Sequence, residues 1–302
     1  MASIYGAIET GGTKCICMVA SSPAHILAEV TIPTETPAKT TTEIAEFFHR
    51  CENWEGQKIE RVGLASFGPL DLNPKSKTYG YILITPKIDW QGWDLLGEME
   101  RNLDLPVVLD TDVNGAALGE HLWGAAQGLK NFIYLTIGTG IGGGGMIESH
   151  LLHGLVHPEM GHILIPHDRL KDPFPGVCPF HGDCFEGLAS GPAMESRWRI
   201  PAFLLPEEHP AWDLEAQYIA WGLHNLICSL SPERVILGGG VMQQTFLFDK
   251  IRKRVNESLA GYVNSYMILD NIEEYIVPPA LGNRAGVLGA LGLAITGTAN
   301  VI

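Results

Sequence analysis

The run Asn131–Glu148 reads NFIYLTIGTGIGGGGMIE. Its first seven residues have the apolar, β-branched and aromatic make-up of a buried strand. Six glycines stand among the eight residues 138–145, and Met146-Ile147-Glu148 reads as a return strand. Glycines leave backbone N–H groups unshielded, which suits a polyphosphate. The run formally contains GxGxxG, but the dinucleotide fingerprint calls for a helix after its glycines. A strand–glycine–strand hairpin points to the phosphates of ATP and away from NAD.

Two more glycine turns follow strands. Glu9-Thr10-Gly11-Gly12-Thr13 lies between the predicted strands Ser3–Ile8 and Lys14–Ala20, and His25–Thr31 extends them into a meander. Its glycines either supply a positive φ at a bend or let bare backbone approach an anion, with Thr13 and Lys14 adding donors. The turn lacks the eight-residue GxxxxGK[ST] pattern. Strand Arg234–Leu237 ends in Gly238-Gly239-Gly240, with a helix predicted from about Gln243. These three glycines serve close packing or a nucleoside lying against backbone.

Between those turns, helical spacing marks Thr40–Glu52, with Ile44, Phe47 and Phe48 on one face. Ile59–Ser66 is a strand ending in Phe67-Gly68-Pro69-Leu70-Asp71, and segment 72–93 reads as a long functional loop. A helix Leu95–Leu103 and a strand Pro106–Leu109 lead into Asp110-Thr111-Asp112-Val113-Asn114-Gly115, then a helix through about Trp123. Asp112 and Asn114 thus stand at the carboxyl end of a strand, where α/β sheets place ligands. The competing reading makes Asp112 an ordinary N-cap. Ser190-Gly191-Pro192 opens a helix through about Arg199, Glu215–Leu230 is an apolar helix, and Gly282–Ala294 is a small-residue helix suited to a domain junction.

His162, Cys178, His181 and Cys184 stand at separations of sixteen, three and three residues. Cys-x-x-His-x-x-Cys brings three soft ligands round one ion, Pro179 and Gly182 favour the turn, and His162 closes a tetrahedron. Zinc suits two thiolates and two imidazoles, and four protein ligands make the site structural, since none is left open for an activated water. The bland reading is a loop with two free thiols and two solvated histidines. Glu159 and Glu186 frame this segment.

The chain has 302 residues, 46% hydrophobic and 18% charged, which are globular proportions. A formal charge of −14 argues against nucleic acid or an anionic membrane as partner. The basic run Lys250–Arg254 reads as a solvated helix face. Cys15, Cys17 and Cys228 read as buried free thiols. With no signal-peptide pattern and no apolar stretch of membrane-spanning length, the expected location is the cytoplasm.

Taken in order, ETGGTK (9–14), DTDVNG (110–115), GTGIGGG (138–144), the ExGH run Glu159–His162 and the cysteine-rich segment resemble the ROK family of sugar kinases. IPTETP (32–37), TPKIDW (85–90) and CPFHGDCFEGLASGPA (178–193) look most like its bacterial fructokinase branch. Glu9, where many members carry Asp, and His181, where many carry Cys, both look like variants of that branch.

The resemblance implies an α/β, two-lobed, actin-like or ribonuclease-H-like ATPase fold, each lobe a mixed sheet flanked by helices. It places a small lobe at 1–115, with helix 282–302 packing back on it, and a large lobe at 116–281 carrying the zinc segment 162–186. It implies phosphorylation of a hexose by ATP, D-fructose foremost, with a glucokinase, an N-acetylmannosamine kinase or a broad-specificity hexokinase as alternatives. A sugar-sensing repressor of the same fold is disfavoured, as no helix-turn-helix precedes the first strand. Asp112 would be the catalytic base. Glu159, His162 and Glu186 would bind sugar, with Gly68 and Pro69 beside them and Asn114 behind. Gly11, Gly12, Thr13, Lys14, Gly138, Thr139, Gly140, Gly142 and Gly143 would hold phosphates. Gly191, Pro192 and Gly238, Gly239 and Gly240 would complete the nucleotide site. Mg²⁺ would travel with ATP, zinc would be structural, and a homodimer is the family habit.

Overall fold

A computed structural model describes residues 3–51, 53–54 and 56–297. In chain order the first elements are β1 (Ile4–Thr10), β2 (Lys14–Ser22), β3 (His25–Pro33), α1 (Pro37–Arg50), β4 (Asn53–Trp54), β5 (Gln57–Ser66), α2 (Leu95–Leu103), β6 (Val107–Thr111) and α3 (Asp112–Trp123). Then come β7 (Phe132–Ile137), β8 (Ile141–Ile147), β9 (His150–Leu151), α4 (Phe185–Ala189), α5 (Gly191–Trp198) and α6 (Ala211–Leu230). The last are β10 (Arg234–Gly238), α7 (Leu247–Leu259), α8 (Tyr266–Leu269), α9 (Ile272–Tyr275), β11 (Ile276–Val277) and α10 (Ala285–Thr296).

Two mixed sheets result. The first runs β3-β2-β1-β5-β4, with β6 also on β5. The meander β1–β2–β3 is antiparallel, whereas β1, β5 and β6 are mutually parallel. Pairing puts Thr10 beside Ser66 and Ser66 beside Thr111. The Gly11 turn, the Gly68-Pro69 corner and Asp112 therefore leave the same carboxyl edge, the place where such sheets collect ligands. The second sheet runs β11-β10-β7-β8-β9, with β10 parallel to β7 and Gly238 beside Thr136.

The chain forms two compact units. One comprises residues up to Gly128 together with Gly144–Pro158 and the chain from Arg284; the other comprises Leu129–Gly143 and Glu159–Asn283. The boundary expected between 115 and 116 falls inside α3, which belongs wholly to the first unit. Period-two alternation explains the packing there. Val62 and Leu64 join the cluster of Ile44, Phe48 and Leu95, while Gly63 between them turns to α10, where a Cβ would stand 1.8 Å from the Ala290 carbonyl oxygen.

Several elements begin or end away from their predicted limits. α1 starts at Pro37, whose missing N–H is no loss in a first turn, and ends at Arg50. α6 starts at Ala211. Gly142–Gly145 lie inside β8, so the glycine turn is confined to 138–140. After Gly240 a 3₁₀ turn precedes α7, and a 3₁₀ turn also precedes α10, whose predicted extension over 298–302 lies outside the described residues. Cys15 and Cys17 are buried as expected, but Cys228 is exposed, because the buried stripe of α6 passes through Leu226 and Ile227. Among the described residues no helix is long and apolar enough to cross a membrane.

Candidate functional site

In the first unit the β1–β2 turn is closed by the Gly11 amide donating to Lys14 O at 2.9 Å. Thr34 supports it from β3's end, its hydroxyl donating to Gly11 O at 2.8 Å. Neither Gly11 nor Gly12 has a positive φ. The positive-φ reading thus fails for both, and a Cβ on Gly11 would stand 3.0 Å from Lys14 O within the turn itself. Thr13 and Lys14 are exposed beside them.

Asp112 is the first residue of α3, and the cap is Thr111, whose hydroxyl accepts from Asn114 N at 3.1 Å. The N-cap reading of Asp112 is therefore superseded. Its carboxylate accepts the Val113 N–H at 2.9 Å. Burial pushes its pKa up to about 6, opposed by backbone N–H bonds. Glu9, next to last in β1, is pushed up to about 7 by burial first and by the charge of Asp112 second. The two acids share one neighbourhood.

Asn114 is 1% exposed and its amide is spent on protein groups. It donates to Asp110 Oδ1 at 3.0 Å and to Leu152 O at 3.3 Å, and accepts from Gly145 N at 3.3 Å. These bonds tie α3 to β6 and β8. Asp110, fully buried, also accepts from Thr111 N at 2.7 Å and bonds His153 Nε2 at 2.9 Å. This bond pushes the His153 pKa up against the effect of burial. The Gly68-Pro69 peptide is cis. Its corner is held by Leu70 N donating to Nε2 of buried His157 at 3.0 Å, which requires that nitrogen unprotonated. Asp110 stood in the DTDVNG motif without a role, and local spacing marks neither His153 nor His157, whose partners Asp110 and Leu70 lie 43 and 87 residues away.

In the second unit the glycine segments converge. Gly191 N donates to Gly138 O at 2.8 Å. A Cβ on Gly138 would stand 3.6 Å from Gly240 N. Gly239 has φ +93°, and a Cβ there would meet Ile137 O at 2.4 Å, so packing alone demands this glycine. Gly143 is closed over by Met160, whereas Gly240 has open space. Thr139 shares the 138–140 turn, and Pro192 lies in the first turn of α5, which Ser190 caps.

Glu186, in the first turn of α4, accepts Ile141 N at 2.8 Å. Its other oxygen lies 3.9 Å from His162 Nε2. Glu159 is exposed just before the 3₁₀ turn Met160–His162. His162 thus faces two ways, for its Nδ1 lies 3.7 Å from Cys178 Sγ and 3.5 Å from Cys184 Sγ. His181 Nδ1 lies 3.6 Å from Cys178 Sγ, and all four ligand atoms fall within 4.8 Å of one another. Zn–S and Zn–N bonds of roughly 2.3 and 2.0 Å at a tetrahedral angle imply N···S edges of about 3.5 Å. The tetrad fits that ion.

The ROK family pattern matches residues 5–296. This chain belongs to the ROK family. The ROK chain is 42% identical to a fructokinase of Zymomonas mobilis subsp. mobilis, covering 97% of this chain and 96% of that one. It is 40% identical to a fructokinase of Lactococcus lactis subsp. cremoris, over 97% and 98%. A ROK glucokinase from Streptomyces griseus, solved with glucose and AMPPNP, superposes with a TM-score of 0.77 at 26% identity, covering 97% of this chain and all of that one.

Proposed function

We propose that this ROK protein is a fructokinase, transferring the γ-phosphoryl group of ATP to D-fructose to give fructose 6-phosphate. Full-length likeness to fructokinases supports the substrate. The observation that carries the chemistry is the shared carboxyl edge of β1, β5 and β6, which sets Asp112 beside the bare Gly11–Lys14 turn.

Asp112 accepts the proton of the attacking sugar hydroxyl. Its pKa of about 6 leaves it ionised at neutral pH yet close enough to take a proton. Phosphoryl transfer is loose, so orientation and charge neutralisation outweigh base strength. With the Gly11 and Gly138 N–H groups spent on Lys14 O and Gly140 O, Gly12–Lys14 and Thr139–Gly140 take phosphate oxygens on their backbone N–H groups, and Gly240 offers open space to the nucleoside. Mg²⁺ bound with ATP supplies charge neutralisation, and Glu9 and Asp112 are acids suited to its hydration shell. Glu159 and Glu186 accept from sugar hydroxyls, and His162, its Nδ1 turned to the cysteine sulfurs, donates its Nε2–H to a sugar oxygen. Zinc on His162, Cys178, His181 and Cys184 is structural and fixes the ring of His162, whose free nitrogen already faces Glu186.

Purified protein with Mg·ATP and a panel of hexoses tests this directly. ADP release is expected with fructose above glucose, mannose and N-acetylmannosamine; no ADP with any hexose refutes the reading. Asp112→Asn is expected to lower kcat about 10²- to 10⁴-fold, the range for a lost proton acceptor, with little change in sugar affinity.

A further inference from the structure

Segment Thr85–Gln91 is anchored more firmly than a connecting loop requires. Trp90 is 2% exposed, its indole N–H donates to Glu35 O at 2.9 Å, and its ring meets Phe67 edge-on at 5.3 Å. Gln91 Nε2 donates to Thr85 O at 2.6 Å, and Trp90 N to Lys87 O at 2.9 Å, closing a 3₁₀ turn. What this frame displays is Lys87. Its Cε lies 3.5 Å from the place a Cβ on Gly12 would occupy, so the stem of Lys87 packs on the bare turn, and its ammonium nitrogen, one bond away, lies more than 4 Å from that point.

Among the described residues Lys87 makes no ion pair, although it is half-buried in a chain of charge −14. Withdrawing an ammonium from water without a carboxylate partner costs stability, and the cost is offset when an anion arrives. The turn beside it offers bare backbone N–H groups, the second element of an anion site.

We propose that Lys87 contacts the γ-phosphoryl group of ATP and stays on it through transfer. This rests on the ATP-dependent reading above. The bond from phosphorus to the β–γ bridging oxygen breaks, the bond to the sugar oxygen forms, and the sugar proton goes to Asp112. Lys87 neither gains nor loses a proton. A fixed point charge there serves the equatorial oxygens, where a loose transition state carries its charge.

The test uses Lys87→Met and Lys87→Arg. Calorimetry with Mg²⁺ and no sugar compares AMPPNP with ADP. Lys87→Met is expected to bind AMPPNP about tenfold or more weakly while ADP changes by no more than about twofold, as loss of one charge-assisted bond to the γ-phosphate implies. With fructose, kcat is expected to fall about 10²- to 10³-fold at nearly constant fructose KM, and Lys87→Arg to recover part of it. The melting temperature should stay or rise, since no partner is lost. Equal losses for ADP and AMPPNP, near-normal kcat, a higher sugar KM at unchanged kcat, a lowered melting temperature, or Arg no better than Met each overturn the proposal. Because the calorimetry needs no sugar, an inactive hexose panel would remove the fructokinase reading and leave this measurement standing.

Discussion

Glu9 and Asp112 carry opposite demands at one edge of a sheet. Burial holds the Glu9 proton up to about pH 7, against 4.5 for the ordinary carboxyl. A raised pKa means that the folded state binds the proton more tightly. The resulting stability is complete below pH 4.5 and is lost as pH rises through about 7. Glu9→Gln is therefore expected to stabilise the ligand-free protein at pH 8 by on the order of 1–3 kcal/mol and to do nothing at pH 4.5, read as melting temperature against pH. Asp112 has the reverse consequence for turnover, because a proton acceptor must be ionised. Activity in wild type should fall as pH drops through about 6, and a kcat–pH profile checks it. The residue types at both positions were legible in the sequence, as strand-terminal acids beside glycines. Their mutual influence was not, since it arises from the pairing of β1, β5 and β6, which leaves no trace in local spacing. The same holds for Asn114, whose amide is claimed by Gly145 and Leu152 from distant strands.

At the level of elements, the small-residue helix of the sequence proves to be a close crossing. A Cβ on α10's Gly289 would stand 1.7 Å from Gly115 O of α3, and one on Gly119 of α3 would stand 2.7 Å from Ala285 O. Backbones this near leave no room for a methyl group. Gly289→Ala is expected to cost about 1–3 kcal/mol or more, as overpacked cores do, measured by chemical denaturation. Glycine spacing in Gly282–Ala294 announced such a contact, but not that α3 receives it. The cysteine-rich segment is the complementary case, since spacing alone singled out His162, Cys178, His181 and Cys184, and folding brings their four candidate ligand atoms within 4.8 Å of one another. Stripping the metal is expected to lower the melting temperature and raise the fructose KM together, because one imidazole serves both sides. Melting curves and sugar kinetics with and without a chelator check this; a stable, chelated protein of unchanged KM would contradict it. The loop 72–93 was recognised as long and irregular, yet only the burial of Trp90 reveals why its lysine is held in place.

Across the whole molecule, each unit is assembled from separated stretches of chain. The first draws on residues up to Gly128, on Gly144–Pro158 and on the chain from Arg284, and its sheet is covered on one face by α1 and α2 and on the other by α3 and α10. The last described helix is thus an inner layer of the unit that begins the chain. During synthesis α3 follows directly behind β6 and covers part of the second face, but the strands β1 and β5 leave the ribosome long before α10 can cover the rest. What α3 leaves open must wait through the making of the entire second unit. Only once Ala285–Thr296 has been made and slides home does the amino-terminal sheet gain its full interior.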